Sequence, residues 1–298
     1  MHKIEVPEAN ITFDFPESAL EFNQEQTILF SKLLLLYQSG QITFKQLQIH
    51  LTYHFLNLKR RADFTKSENN QVAENIYQIG KLVKDYFTEY RENEETKYKV
   101  KMDFYIQKIP KLTVDGIEFY GPTDALFNTV YGEYLQVMNH FTEFSKTKSL
   151  DDLDAMVATI YRPQKDNYKK LKTSTEYDGD IRKKFNANLT ANYVSFISKL
   201  DLETKYAIYL YVASCQHFIA NCSALDIGGG NSIDLSQLFN GDETEANGLG
   251  MLGTLFSLAE TKAFGNIKEV AEQNTYDVFA YLVKQSQDYK KLKKNART

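Results

Sequence analysis

The chain has 298 residues, long enough for one large domain or two ordinary ones, and its 43% hydrophobic and 25% charged content excludes extended disorder. Its 35 basic and 39 acidic side chains give a net charge of −4, which excludes an overall field drawing the protein onto nucleic acid or anionic lipid. With 20 Tyr, 20 Phe and no Trp, the interior must be built from flat rings whose phenol hydroxyls need partners.

The opening MHKIEVPEANITFDF has an acid at Glu5 and no apolar core of a leader, so no secretory signal is expected. Ile4 and Val6, then Ile11, Phe13 and Phe15, alternate as in a short strand or extended arm, which Pro7 and Pro16 confine to an edge. From Asn23 the period becomes helical through Ile28, Leu29, Leu33, Leu36 and Tyr37, with Gly40 as the stop. Thr43 caps a second helix through Leu58 with Phe44, Leu47, Leu51 and Phe55 on one stripe, so the pair reads as a helical hairpin. The dense apolar run from Ile28 to Tyr37 falls well short of the roughly 20 residues needed to span a bilayer, and no membrane segment is expected.

After a polar break from Lys59 to Asn70, Val72, Ile76, Ile79, Val83 and Phe87 predict a third helix over 71–89. The charged stretch Arg91 to Lys97 separates it from an alternating run, Tyr98, Val100, Met102 and Phe104. Leu112 to Val114 and Ile117 to Tyr120 flank Asp115-Gly116, a two-residue hairpin signal, so three short antiparallel strands are expected here. Thr123 caps a helix from Asp124 to about Lys146, and Ser149 another from Leu150 that must end near Tyr161-Arg162, because Pro163 disfavours α geometry before it. A polar loop runs to Asp178, and a helical hairpin spans Asn186 to Leu200 and Leu202 to Cys222. Ala224 to Gly253 holds seven of the 14 glycines and reads as a loop around short helical pieces. Helices over Leu252 to Thr261 and Asn274 to Lys294 complete the chain, the last with a basic end that suits the helix dipole.

The fold class expected is therefore mainly α: an irregular assembly of helical hairpins with a small antiparallel three-strand insert. Three segments are expected: an N-terminal arm and helical region (1–95), a β-hairpin with a central helical region (96–222), and a glycine-rich linker with C-terminal helices (223–298).

Little of this chain reads as chemistry. Cys215 beside His217 is the best nucleophile and base pair, but residues two apart on a helix point to different faces. Cys215 and Cys222 lie two turns apart, about 10.5 Å by helical rise, too far for a disulfide. His50 and His54 sit one turn apart like metal ligands, yet Leu51 stands where a zinc peptidase helix has Glu, and no further ligand is apparent. Asp226 to Ser232 (DIGGGNS) lacks the Lys-Ser/Thr ending of a phosphate loop. Lys59-Arg60-Arg61 and the lysines at 290, 291, 293 and 294 leave nucleic-acid binding as a lesser reading. No catalytic, cofactor-binding or metal residue is assigned, and no cofactor is expected.

One constellation stands apart: Tyr161-Arg162-Pro163, then Asp180-Ile181-Arg182, then Phe185. Arg162 at a helix end, folded back on Asp180 in a bidentate pair, would pin the loop between them. With Tyr120-Gly121-Pro122, Glu133-Tyr134, Phe185-Asn186 and Cys215, these residues resemble the pattern of tail-region proteins from phages and prophages of Bacteroidetes-type bacteria, over roughly Phe119 to Cys222. Phe264 to Ile267 and Thr275 to Phe279 are similar to the ends of tail-assembly chaperones encoded near tape-measure proteins. The resemblance implies a non-enzymatic role in tail assembly, as a chaperone of the tape measure or a minor structural component. It implies other tail proteins as partners, location in the bacterial host cytoplasm or the virion, and leaves self-association open. The alternatives are an unfamiliar enzyme using Cys215 and His217, or a nucleic-acid adaptor.

Overall fold

The computed structural model describes residues 1–7, 10–59, 66–239 and 250–296. It is helix-dominated, with eleven α-helices and four small antiparallel sheets among the described residues, and so mixed rather than purely α. The chain packs as two compact units, one of residues 1–108 with 201–210, the other of 109–200 with 211–298.

The first unit opens with a hairpin of β1 (His2–Val6) and β2 (Ile11–Phe15), so the expected arm is a pair of strands. Helix α1 (Gln24–Gln38) begins at a capping box in which Asn23 and Gln26 satisfy each other's backbone amides at 2.9 Å. It stops at Gly40, which takes the left-handed φ of 73°. Helix α2 (Phe44–Phe55) starts at a second box between Thr43 and Gln46. It ends one turn before Leu58 because Asn57 turns left-handed (φ 50°) and its amide closes on the His54 carbonyl.

The expected third helix is cut short. Helix α3 (Lys66–Gly80) gives way to a 3-10 turn over Lys81–Tyr86 and then to β3 (Phe87–Glu92). β3 pairs with β4 (Glu95–Val100) through a turn in which Asn93 and Glu94 both have positive φ, so the charged separator is a hairpin tip. Val83 and Phe87 are buried, as a helix through 89 would also bury them, and their spacing alone could not distinguish the two. The core here is a cluster of rings: Phe22 lies 5.0 Å from Phe55, 5.1 Å from Tyr86 and 5.5 Å from Phe30. The Tyr86 hydroxyl donates to the Pro16 carbonyl at 2.5 Å.

The second unit carries the hairpin of β5 (Lys111–Val114) and β6 (Ile117–Tyr120), turned by Asp115 and Gly116 at positive φ. Its third strand is not the run from Tyr98 to Phe104, of which only the start is strand and pairs elsewhere. It is β7 (Arg162–Pro163), which adds to β6 with Tyr120 opposite Arg162. Helices α4 (Tyr131–Thr147) and α5 (Leu150–Ile160) pack as a hairpin across a left-handed Lys148, and α7 (Ala187–Ile197) follows the four-residue α6 (Tyr168–Leu171). Helix α8 (Leu202–Asn221) contributes its residues from Tyr211 onward to this unit. The glycine-rich stretch holds a hairpin, β8 (Leu225–Gly228) with β9 (Asn231–Ile233), and the rest of it from 240 to 249 lies outside the described residues. Helices α9 (Gly250–Glu260), α10 (Ile267–Ala271) and α11 (Thr275–Asn295) complete the unit, α10 being an element that sequence periodicity missed.

The helix expected from Asp124 starts only at Tyr131. Ala125 and Leu126 are both left-handed (φ 49° and 62°), and Val130 bridges to Asn274 instead of entering a helix. Two consecutive non-glycine residues in this region persist only where the surroundings impose it. Here the Tyr276 hydroxyl donates to the Ala125 carbonyl at 2.6 Å, and the Tyr211 hydroxyl donates to the Thr123 carbonyl at 2.6 Å while accepting from the Leu126 amide. A Cβ at Gly132 would sit 3.1 Å from that of Ala271, so glycine there lets α4 and α10 approach.

Candidate functional site

The constellation singled out in the sequence converges on one buried cluster in the second unit. Pro163 forces Arg162 to extended geometry, which ends α5 and starts β7, and the chain returns at Arg182 to bridge Gln164. The Lys165 amide donates to the Ile181 carbonyl at 2.9 Å and the Lys183 amide to the Pro163 carbonyl at 2.8 Å, clasping the intervening loop at its base.

Inside this clasp stand two arginines and two carboxylates. Arg162 does not take Asp180 as its bidentate partner: the closest approach is 3.9 Å. Its Nη1 and Nη2 instead donate to the two oxygens of Glu133 at 2.6 and 3.2 Å, while Nη1 also reaches the Thr159 carbonyl at 2.7 Å and Nε the Lys183 carbonyl at 2.8 Å. Asp180 belongs to Arg182, whose Nε and Nη2 donate to it at 3.0 and 2.8 Å. Arg182 Nη1 donates to Glu133 at 2.8 Å and to the Ile160 carbonyl at 2.9 Å, and Nη2 to the Asn128 carbonyl at 3.0 Å. All five donor groups of this guanidinium are thus engaged.

The side chains of Arg182, Glu133 and Arg162 are 0%, 1% and 4% exposed. Burial opposes the Arg182 charge, but Glu133 and Asp180 outweigh it and hold the guanidinium above its ordinary value. Two cations face two anions, so the cluster is neutral as well as saturated, the condition under which buried charge is tolerated. Tyr161 is fully buried with its hydroxyl on the Ile109 carbonyl at 2.5 Å, and the Phe185 ring lies 5.9 Å from the Arg162 guanidinium. Such a cluster ties α4, α5, β7 and the segment at Asn128 together; with its groups engaged, its chemistry is structural.

Sequence reasoning missed Glu133 as the hub and Asn128 as the residue whose carbonyl accepts from Arg182. A signal for the first was present: Glu133 lies between Val130 and Val137 at helical spacing, a carboxylate in a core-facing position that requires a cation.

The other candidates do not assemble. Cys215 is buried and free, and burial pushes its thiol above the ordinary value, while His217 is exposed and pairs with Asn221. The nucleophile and base are therefore not brought together. His50 is exposed and His54 half-buried, and no group of three metal-ligating side chains occurs among the described residues. The run from Asp226 to Ser232 is the turn of β8–β9, with Gly228, Gly229 and Gly230 all left-handed, rather than a strand-to-helix phosphate loop. Arg60 and Arg61 lie outside the described residues. No helix among the described residues is long and apolar enough to cross a membrane. Comparison with protein-family models, curated proteins and solved structures returned no match.

Proposed function

We propose that this chain is a non-enzymatic phage or prophage protein of tail assembly, acting as a chaperone of the tape-measure protein or as a minor structural component. The observation that supports the reading is the convergence of the residues carrying the resemblance. Glu133, Tyr161-Arg162-Pro163 and Asp180-Ile181-Arg182, separated in sequence, meet in one saturated cluster. Residues that hold a fold together in this way are ones that a resemblance between distant tail proteins would preserve. The same reading places the protein in the host cytoplasm, or in the finished particle if it is a structural component.

The test is affinity capture of a tagged full-length chain from induced lysogenic cells, followed by mass spectrometry. Recovery of tape-measure or tail-tube protein is expected. Recovery of neither, together with a genome neighbourhood lacking tail genes, overturns the reading. The nucleic-acid alternative predicts retention of DNA or RNA that weakens steeply with salt, and the absence of retention at low salt removes it.

A further inference from the structure

The loop that the buried cluster closes is itself an ordered surface. Its base is clasped by the Lys165 and Lys183 amides, and the fully buried Arg182 pins the returning chain. Above that base the chain folds on itself: Asn167 turns left-handed (φ 57°), α6 makes one turn, and the Tyr168 and Tyr177 rings meet edge to face at 5.9 Å. Lys165 crosses the loop to the Asp180 carbonyl at 2.8 Å and to the Asp178 carboxylate. Yet no residue from 164 to 181 is fully buried. Ordering a loop costs backbone entropy that burial ordinarily offsets, and a fixed, exposed loop is the form in which binding residues are commonly presented.

The charge of this lobe is opposite to that of the chain. Residues 164–184 carry seven bases against four acids, while the whole protein has a net charge of −4. Three of the acids are taken within the lobe: Asp166 by Lys183, Asp178 by Lys165 and Asp180 by Arg182. Lys169, Lys170, Lys172 and Lys184 are exposed and meet no carboxylate among the described residues, so four free ammonium groups stand against one free acid, Glu176. No large hydrophobic side chain of the lobe is exposed, so it offers no apolar anchor to a protein groove or a bilayer. Tyr168 and Tyr177 are half-buried among these lysines. A phosphodiester chain with unpaired bases calls for that combination, ammonium groups for its phosphates and ring surface for its bases.

We propose that the lobe of residues 164–184 binds single-stranded nucleic acid, with Lys169, Lys170, Lys172 and Lys184 on its phosphates and Tyr168 and Tyr177 against its bases. The attraction is local, acting within about 10 Å at roughly 0.1 M salt, and so operates despite the acidic balance of the whole chain. The site is distinct in sequence from Lys59-Arg60-Arg61 and from the lysines at 290, 291, 293 and 294. It stands independently of the tail-assembly reading.

The test is fluorescence anisotropy of a labelled oligothymidylate with the full chain, over a salt series that starts low. Wild type is expected to bind. Lys169→Glu, Lys170→Glu and Lys172→Glu combined, with circular dichroism checked, are expected to weaken binding at least tenfold. Loss of three phosphate contacts also lowers the slope of log affinity against log salt by about 2. Lys184→Glu, outside α6, is the second variant and weakens binding by itself. Tyr168→Ala is expected to weaken binding of the oligonucleotide but not of inorganic polyphosphate, which separates base contact from charge. Lys290→Ala, Lys291→Ala, Lys293→Ala and Lys294→Ala combined are expected to change neither. No binding by wild type at low salt, unchanged affinity in the lobe variants, or loss on the C-terminal substitutions instead overturns the proposal. So does tighter binding of duplex, equal loss of polyphosphate with Tyr168→Ala, or a preference for polyglutamate, which would make the partner an acidic protein.

Discussion

Replacing Glu133 by Gln is the sharpest perturbation of the buried cluster. The change keeps the shape, but it removes one negative charge from between two guanidiniums and turns an NH2 group towards donors that need acceptors. Glu133 Oε1 accepts from Arg162 at 2.6 Å and from Arg182 at 2.8 Å, so a single substitution weakens two ion pairs and leaves Asp180 alone against two cations. At about 4 Å between charge centres and an effective dielectric near 20, each attraction is on the order of 4 kcal/mol. Relaxation and the desolvation already incurred reduce the net effect to about 3–5 kcal/mol, the usual cost of removing one partner from a buried pair. That is a large part of the roughly 5–15 kcal/mol that stabilises a domain. Urea unfolding followed by circular dichroism measures it, with hydrogen exchange of peptides from residues 109–200 assigning the transition to the second unit. A loss within about 0.5 kcal/mol of wild type, as at an ordinary surface position, would refute the reasoning. A second substitution, Arg162→Gln, restores neutrality and is expected to recover part of the loss, which a purely steric effect of Glu133→Gln would not allow.

Burial pushes Tyr131 and Tyr206 up to about 12, so the fold favours their neutral forms. Stability is therefore intact below the ordinary tyrosine value of 10.0 and falls as pH rises from there to about 12, which phenolate absorbance and thermal melting at stepped pH will follow; a melting midpoint flat across that window contradicts the assignment. In the native protein Cys222 is expected to react with a chromogenic disulfide reagent well before Cys215, whose thiol is buried and raised, and equal native rates would show that Cys215 is accessible. At Gly265, φ is 96° and an added Cβ would lie 2.0 Å from Glu269 Oε2, which accepts from the Asn266 amide to cap α10. Gly265→Ala is therefore expected to cost about 1–3 kcal/mol in thermal unfolding, and an unchanged midpoint would show that the cap shifts freely.

The sequence alone determined the elements whose evidence is local. Asn23 with Gln26 and Thr43 with Gln46 mark helix starts, Asp115-Gly116 marks a hairpin turn, and Pro163 ends α5, because capping, positive φ and proline geometry act within a few residues. It also singled out Tyr161, Arg162, Pro163, Asp180, Arg182 and Phe185 as a constellation, with Arg162 expected on Asp180. Only the tertiary structure decided which partners they take. Arg162 and Arg182 share Glu133, a residue 29 positions before one and 49 before the other, and no local rule reaches that far. The same limit explains the misread segments. Residues 124–130 have helical spacing but are held out of a helix by hydroxyls of Tyr211 and Tyr276, and Phe87 leaves the pattern of α3 because Val100 offers it a strand partner. Burial satisfies both periods at such positions, and the choice falls to hydrogen bonds that only the folded chain can make.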